Sequence, residues 1–281
     1  VNSTGDGEPI ELPAGFGWHH WVERWERMQE RYLVRRAERF ATMIYLVREL
    51  LLVREGDLAL EVRALRVLCL GCGPGSLMEP LLEAIPQAEV WGIDSNPTML
   101  LLARERLARF GMSPSAGARV HLVQADLRDP SWAEGIPVPV DAVLSATALH
   151  WLLPEPLAAL YRQIAGLLRP GGLLLNADHV GSGYVPLQRA WERHREVMRE
   201  REGHDSADDW DGWWEAYARA LGREQGPQES IDGWEGGIEE GLPLAWHLDR
   251  LRECGFRWVD CFWRCDNDAI YGGIVDKERK R

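Results

Sequence analysis

Long apolar runs are missing from this sequence. None approaches the roughly 18 residues that a membrane helix needs. The opening stretch VNSTGDGEPIELPAG has neither a basic leader nor an apolar segment behind it. Both absences lead to the expectation of a soluble, cytoplasmic chain with no membrane partner. Cysteine is scarce, five in 281 residues at scattered spacings, which argues against a disulfide framework and for a reducing compartment. Cations are outnumbered: Lys and Arg total 32 against 44 Asp and Glu, a net charge of -12. Binding to a phosphate backbone draws on a cationic surplus, so nucleic acid is not an expected partner. No internal repeat occurs. With 46% hydrophobic residues, the chain has enough apolar material for one large domain or a domain with an elaboration.

From Trp18 onward, Trp18, Trp21, Trp25, Met28 and Tyr32 recur at steps of three and four, the stripe of an amphipathic helix. A second helical pattern runs from about Ala37 to Val53. Arg31, Arg35, Arg36 and Arg39 crowd the junction; they read as a solvated face, with an anion contact as the alternative. From Ala64 the period changes. Leu65–Leu70, Ala88–Asp94, Ala118–Asp126, Val140–Ala146 and Gly172–Asp178 are short runs rich in Val and Leu, separated mostly by helical patterns. Such alternation predicts a parallel sheet covered on both faces. Asn96 can cap a helix that starts at Pro97 and that Gly111 can end, and another runs from about Pro154 to a turn at RPGG, residues 169–172. Between Gly181 and Leu242 the alternation fails and the chain becomes acidic and rich in tryptophan, with Trp191, Trp210, Trp213, Trp214 and Trp234. This segment reads as a helical insertion over the ligand edge of the sheet. A helix over 244–256 and strands near 258–264 and 269–275 follow, and the basic run KERKR at the C-terminus reads as a solvated tail.

The stretch VLCLGCGPGSL, Val67 to Leu77, admits two chemistries. Cys69 and Cys72 have Cys-x-x-Cys spacing, but a zinc site needs about four ligands and no second pair matches. Cys69 also falls inside a predicted strand, the wrong place for a redox pair, so no metal is expected. Gly71, Gly73 and Gly75 lead from a strand toward a helix, where a glycine backbone can turn tightly and approach a ligand. The spacing Gly-x-Gly-x-Gly departs from the dinucleotide pattern and disfavours a nicotinamide-dependent oxidoreductase. Asp94, at the end of the second strand, can accept both hydrogen bonds of a ribose diol, and Asp126 ends the third. Ligand-facing groups at the C-terminal ends of consecutive strands suit a nucleoside at the switch point of the sheet.

VLCLGCGPG, VWGIDSNPTML, VQADLRD, SATALHWL and LLRPGGLLL stand in an order and spacing that resemble the class I S-adenosylmethionine-dependent methyltransferases of the small-molecule type. The resemblance runs from about Leu65 to the C-terminus. It implies an α/β, Rossmann-like fold: a seven-stranded, mostly parallel sheet with helices on both faces, capped by N-terminal helices and the insertion. The corresponding division is 1–63 cap, 64–180 cofactor-binding core, 181–242 insertion and 243–281 closing helix and antiparallel hairpin. By resemblance, the loop of Gly71, Cys72, Gly73 and Gly75 would cradle the methionine part of S-adenosylmethionine. Asp94 would hold its ribose, with Ser95 and Met99 beside it, and Asp126 with Leu127 would bracket the adenine. Many members of the family carry an acidic residue where Cys69 stands, so the Gly71 carbonyl and Ser145 are left to meet the amino group of the cofactor.

A sulfonium methyl is already activated, so the protein must mainly align a nucleophile about 3 Å from it and exclude water; a base is needed only for a hydroxyl or a protonated amine. The segment SATALHWL lacks an Asn-Pro-Pro-Tyr motif, which by resemblance disfavours amide acceptors. His150 reads as a base beside the transferred methyl, or as a residue packed with Trp151. His179 is the second candidate. The LHW pattern resembles enzymes that esterify small carboxylic acids, where no base is required. O-methylation of a carboxylate or a hydroxyl on a small molecule is therefore expected, the alternative being a methyltransferase-like binding module that has lost transfer. Trp18, Trp21 and Trp151 read as an aromatic roof over the acceptor or as the core of the cap itself.

Overall fold

The computed structural model describes residues 15–33, 35–52, 64–115, 117–202, 207–222 and 241–276. The turn-rich start, Trp234 and the basic C-terminal run lie outside them. The elements, in chain order, are α1 (Trp18–Tyr32), α2 (Arg36–Leu51), β1 (Leu65–Leu70), α3 (Met78–Ala84), β2 (Ala88–Asp94), α4 (Pro97–Leu107), β3 (Val120–Gln124), β4 (Val140–Ala146), α5 (Pro154–Leu167), β5 (Leu168–His179), α6 (Val185–Glu202), α7 (Trp210–Ala220), α8 (Leu244–Glu253), β6 (Phe256–Cys265) and β7 (Asp268–Val275). Among the described residues no helix is long and apolar enough to cross a membrane.

The strands form one seven-stranded sheet in the order β3-β2-β1-β4-β5-β7-β6. The first five run parallel, β7 lies antiparallel against β5, and β6 antiparallel against β7. The order reverses between β1 and β4, which opens a crevice at their C-terminal ends. Alternate side chains of each strand feed opposite cores. Val67 and Cys69 of β1 join Met43 and Val47 of α2 and Leu81 of α3. Leu68 and Leu70 join Leu157, Leu160 and Tyr161 of α5 and Leu251 of α8. A strand buried on both faces needs apolar residues at every position, which is why β1 and β4 read as continuous Val and Leu runs.

Local signals account for most boundaries. Asn96 Oδ1 accepts the Thr98 and Met99 amides at 2.9 and 3.2 Å, with Pro97 at the first helical position. Two segments differ from the sequence expectation. The RPGG turn does not precede β5 but lies within it: Val140 pairs with Leu168 and Ala142 with Leu173, so a wide bulge absorbs Pro170 and the glycines. The arginine cluster is not a solvated face throughout. Arg39 is 1% exposed, because it stands one turn before Met43 and two before Val47 on the stripe of α2 that faces the sheet.

A third core holds the cap together. Trp21, Val22, Trp25 and Met28 of α1 pack with Met99 and Leu102 of α4 and with Trp213, Trp214 and Tyr217 of α7. Arg24 ties α1 to Asp208 at 2.8 and 2.9 Å. Glu26, also on α1, pairs with Arg36 of α2 and Arg106 of α4, and accepts from Ser76 Oγ at 2.7 Å. Burial raises the pKa of Glu26, but the two guanidinium groups outweigh it and hold the carboxyl below its ordinary range.

Candidate functional site

The glycine loop leaves β1 in a left-handed path, with φ of +59°, +53° and +80° at Gly71, Gly73 and Gly75. The two glycines that matter differ in surroundings. A Cβ at Gly71 would stand 2.3 Å from Ala148 Cβ, whereas one at Gly73 would meet nothing within 4 Å. Gly71 is thus the point where the loop after β1 seats on the segment after β4, and Gly73 faces open space that any side chain would invade. The Cys72 amide donates to Ile93 O at 3.0 Å. Burial raises both thiols of the pair, Cys69 to about 12 and Cys72 well above its ordinary value, so neither has the depressed pKa of a reactive cysteine.

Asp94 closes the loop from below. Its Oδ2 accepts the Gly73 amide at 2.8 Å and its Oδ1 the Asn96 amide at 2.9 Å. Burial pushes this carboxyl up against the pull of those N–H groups. Each oxygen retains a second lone pair, so the carboxylate can fix the loop and still accept from a diol. The cradle therefore fits the nucleoside and amino-acid parts of an adenosyl cofactor: a bare backbone at Gly73 with a charged acceptor directly beneath it. Ser95 is exposed and Met99 is buried in the cap core. Asp126, after β3, is gripped by Arg128 through Nε at 2.9 Å and Nη2 at 2.6 Å, and Leu127 packs against the α5 side of the sheet. Ser145 is buried and donates to Leu70 O at 2.9 Å, joining β4 to β1.

Beside the loop, a short 3-10 turn, Leu149–Trp151, presents His150. Its Nδ1 stands 2.7 Å from Asp178 Oδ1, and its amide donates to Asp178 Oδ2 at 3.0 Å. The carboxylate of Asp178 also accepts the His179 amide at 3.0 Å and lies 3.4 Å from Asn176 Nδ2. Burial raises its pKa, yet pairing with His150 and His179 prevails and keeps it well below the usual carboxylate range. With Nδ1 committed to Asp178, the imidazole has Nε2 left for chemistry. His179 points elsewhere: its Nδ1 lies 2.9 Å from Asp268 Oδ1, and its ring stands 5.2 Å from that of His150. Deeper still, Asn176 Nδ2 donates to Tyr271 OH at 2.7 Å, and the Tyr161 and Tyr271 hydroxyls lie 2.9 and 3.1 Å from His247 Nδ1.

His150 and Trp151 pack together at 4.6 Å between ring centroids, and Trp151 reaches Trp210 of α7 at 6.2 Å. Trp21 is buried among Phe16, Trp213 and Tyr217, and Trp18 stacks on His19 at 3.5 Å. Of the three expected roof residues, only Trp151 adjoins His150. Asp178, Asp268 and His247 had not been singled out. Asp178 carried the same signal as Asp94 and Asp126, a carboxylate at the C-terminal end of a parallel strand.

Residues 67–172 match the family model described as a methyltransferase domain. A trans-aconitate 2-methyltransferase of Azoarcus sp. (strain BH72) is 40% identical over 111 residues, 40% of this chain and 38% of that protein. One from Rhodopseudomonas palustris (strain BisB18) is 34% identical over 138 residues, 46% of this chain and 47% of that protein. The matched stretches thus span less than half the length of these curated relatives. Among solved structures, an O-methyltransferase family protein from Burkholderia thailandensis aligns with a TM-score of 0.50 at 19% identity, over 93% of this chain and 70% of that one. At that identity the likeness is one of fold.

Proposed function

We propose that this chain, whose residues 67–172 match a methyltransferase domain, moves a methyl group from S-adenosylmethionine to an oxygen of a small-molecule acceptor. Residues of the Gly71–Gly75 loop would hold the methionine portion, Asp94 the ribose, and Asp126 and Leu127 the adenine. When bound, the cofactor supplies a methyl on a positively charged sulfur, already activated for attack. The chain must therefore orient the acceptor, shed water around it and, for a hydroxyl, take its proton.

One observation carries the reading. The glycine loop rests on Ala148, two residues before an imidazole whose Nδ1 is fixed by a buried carboxylate. In that arrangement Asp178 holds the tautomer with the proton on Nδ1, so His150 Nε2 can accept the proton of a hydroxyl, and Asp178 then offsets the charge that develops on the ring. A second reading is favoured by the trans-aconitate 2-methyltransferases among the relatives: the acceptor is a carboxylate, which attacks unaided, and His150 serves only to position it.

The test is an intact-mass screen for a gain of one methyl across small acids, hydroxy acids, phenols and alcohols, with isotope-labelled cofactor. Transfer to oxygen is the expected result. Binding of S-adenosylmethionine without transfer to any of these classes would instead favour a binding module. The pH dependence of turnover then separates the two oxygen acceptors: a rise with pH marks a hydroxyl, whose proton must be removed, and a profile without that rise marks a carboxylate.

A further inference from the structure

Behind Asp178 lies a buried polar cluster drawn from four elements. Asn176 and Asp178 stand two residues apart on β5 and so share one face of the sheet. Tyr271 of β7 pairs directly with Asn176 in the antiparallel register. Tyr161 of α5 and His247 of α8 close the cluster from the helical layer. All five residues are 3% exposed or less, so each polar atom there depends on its neighbours and not on solvent.

The hydrogen bonds of the cluster have a direction. A carboxylate can only accept, so the Asn176 atom that lies 3.4 Å from Asp178 Oδ2 must be the Nδ2 amino group. The same Nδ2 donates to Tyr271 OH at 2.7 Å. With one N–H for each acceptor, the amide is pinned between the phenol and the carboxylate. Tyr271 accepts from Asn176 and must send its own proton elsewhere. His247 Nδ1, at 3.1 Å, is placed to receive it. Burial keeps that ring neutral near pH 7, its pKa lowered to about 4, so one ring nitrogen is an acceptor, and Nδ1 is the one that faces both hydroxyls. Donors thus run from Tyr271 to His247, from Asn176 to Tyr271 and Asp178, and from His150 to Asp178. Tyr161 supplies an internal comparison. Its hydroxyl lies 2.9 Å from the same His247 Nδ1 and 3.3 Å from Tyr271 OH, but among the described residues Tyr271 is the phenol that meets Asn176.

We infer that Tyr271, acting through Asn176, is a positioning residue for His150: its hydroxyl holds the Asn176 amide in the orientation that donates to Asp178, and so fixes the carboxylate that orients the imidazole. Tyr161, equally buried and bonded to the same histidine, has no such part. The inference rests on the role proposed above for His150. It makes β7, far along the chain from the glycine loop, part of the machinery of transfer, although Tyr271 touches neither cofactor nor acceptor.

Turnover with the acceptor found in the mass screen, cofactor calorimetry, and titration of isotope-labelled imidazoles by NMR test this on the whole chain. The His150 signal is assigned by its loss in His150→Ala. The titratable groups that face His150 are Asp178 and His179 of β5, His247 of α8 and Tyr271 of β7, with Asp268 behind His179 and Tyr161 behind His247. Tyr271→Phe keeps the ring and loses the hydroxyl. It should lower turnover by roughly tenfold, a part of the ~10²-fold that a base contributes, while the acceptor KM and the affinity for S-adenosylmethionine stay parental. Asn176→Leu removes a donor from the carboxylate and should lower turnover similarly and raise the titration midpoint of His150 by about half a unit or more. Should Tyr271→Phe not fold, this second variant reads the same link from its other end. Tyr161→Phe should leave turnover and midpoint unchanged. Tyr271→Phe/Asn176→Leu should be no worse than Asn176→Leu alone, because both changes break one chain. Equal turnover losses in the two phenylalanine variants, additive losses in the double variant, or parental turnover and midpoint in Asn176→Leu would each overturn the assignment. Parental turnover in His150→Ala would remove the role of His150 instead, and the NMR titration, which needs no acceptor, would still report on the link.

Discussion

His150 depends on the group behind it. Asp178 contacts it twice, through the ring and through the backbone, so its removal should disturb both basicity and orientation. Replacing His150 by Ala should lower turnover about 10²-fold for a hydroxyl acceptor. Asp178→Asn should lower it by roughly tenfold or more and move the pH profile, since a neutral amide no longer favours the imidazolium. Kinetics across pH on both variants check this, and unchanged profiles in both would leave His150 a packing residue. At Asp94 the structure alters what a substitution reports. Asp94→Ala removes a charged hydrogen bond to the ribose, worth roughly 1.5–3 kcal/mol of cofactor affinity. It also releases the Gly73 and Asn96 amides, so calorimetric binding and melting temperature should fall together.

At the scale of elements, the glycine loop and the segment after β4 act as one piece because Gly71 leaves no room between them. Gly71→Ala should therefore cost more stability than Gly73→Ala. The second pays only for a left-handed alanine, about 1–2 kcal/mol, and should mainly weaken cofactor binding. Urea unfolding of the two variants beside cofactor calorimetry makes the comparison. These elements were legible because their signals are local: the strand runs, the Asn96-Pro97 start and the glycine spacing each specify a conformation within a few residues. The buried polar set was not legible. Asp178 meets His150 from another strand, and Arg39 meets Asp268 across most of the length of the chain; no local spacing records such pairings. The arginine on α2 looked solvated because charge usually outweighs position, but its register with Met43 and Val47 decided otherwise. Of the two readings of Trp18 and Trp21, roof or cap core, the packing of both into the cap core came from α7, whose partners α1 alone could not reveal.

The whole molecule should be sensitive to acid in a defined window. Burial lowers His247 from 6.5 to about 4. Between those values the unfolded chain takes up a proton that the folded chain refuses, so stability is complete above pH 6.5 and falls as the pH drops toward 4. The shift corresponds to roughly 3 kcal/mol. Asp178, held below the carboxylate range, adds a further loss once the pH passes below about 4. Urea denaturation at pH 7, 5.5 and 4.5 should show the first decline in the parent and a shallower one in His247→Gln. An equal slope in both would remove His247 as its source.

The order of strands also has a consequence for synthesis on the ribosome. β5 is an interior strand only because β7 and β6, which follow it in the chain, lie beyond it. Until they emerge, a nascent chain already holding the glycine loop, Asp94 and the His150–Asp178 pair presents β5 as a twelve-residue naked margin, a template for pairing with any neighbouring chain. A chain ending at Cys254 should therefore collect in high-molecular-weight species on sedimentation, although it retains every residue proposed to touch the cofactor. Recovery of that truncated chain as a well-behaved monomer would show that the parallel strands secure their own border before the hairpin arrives.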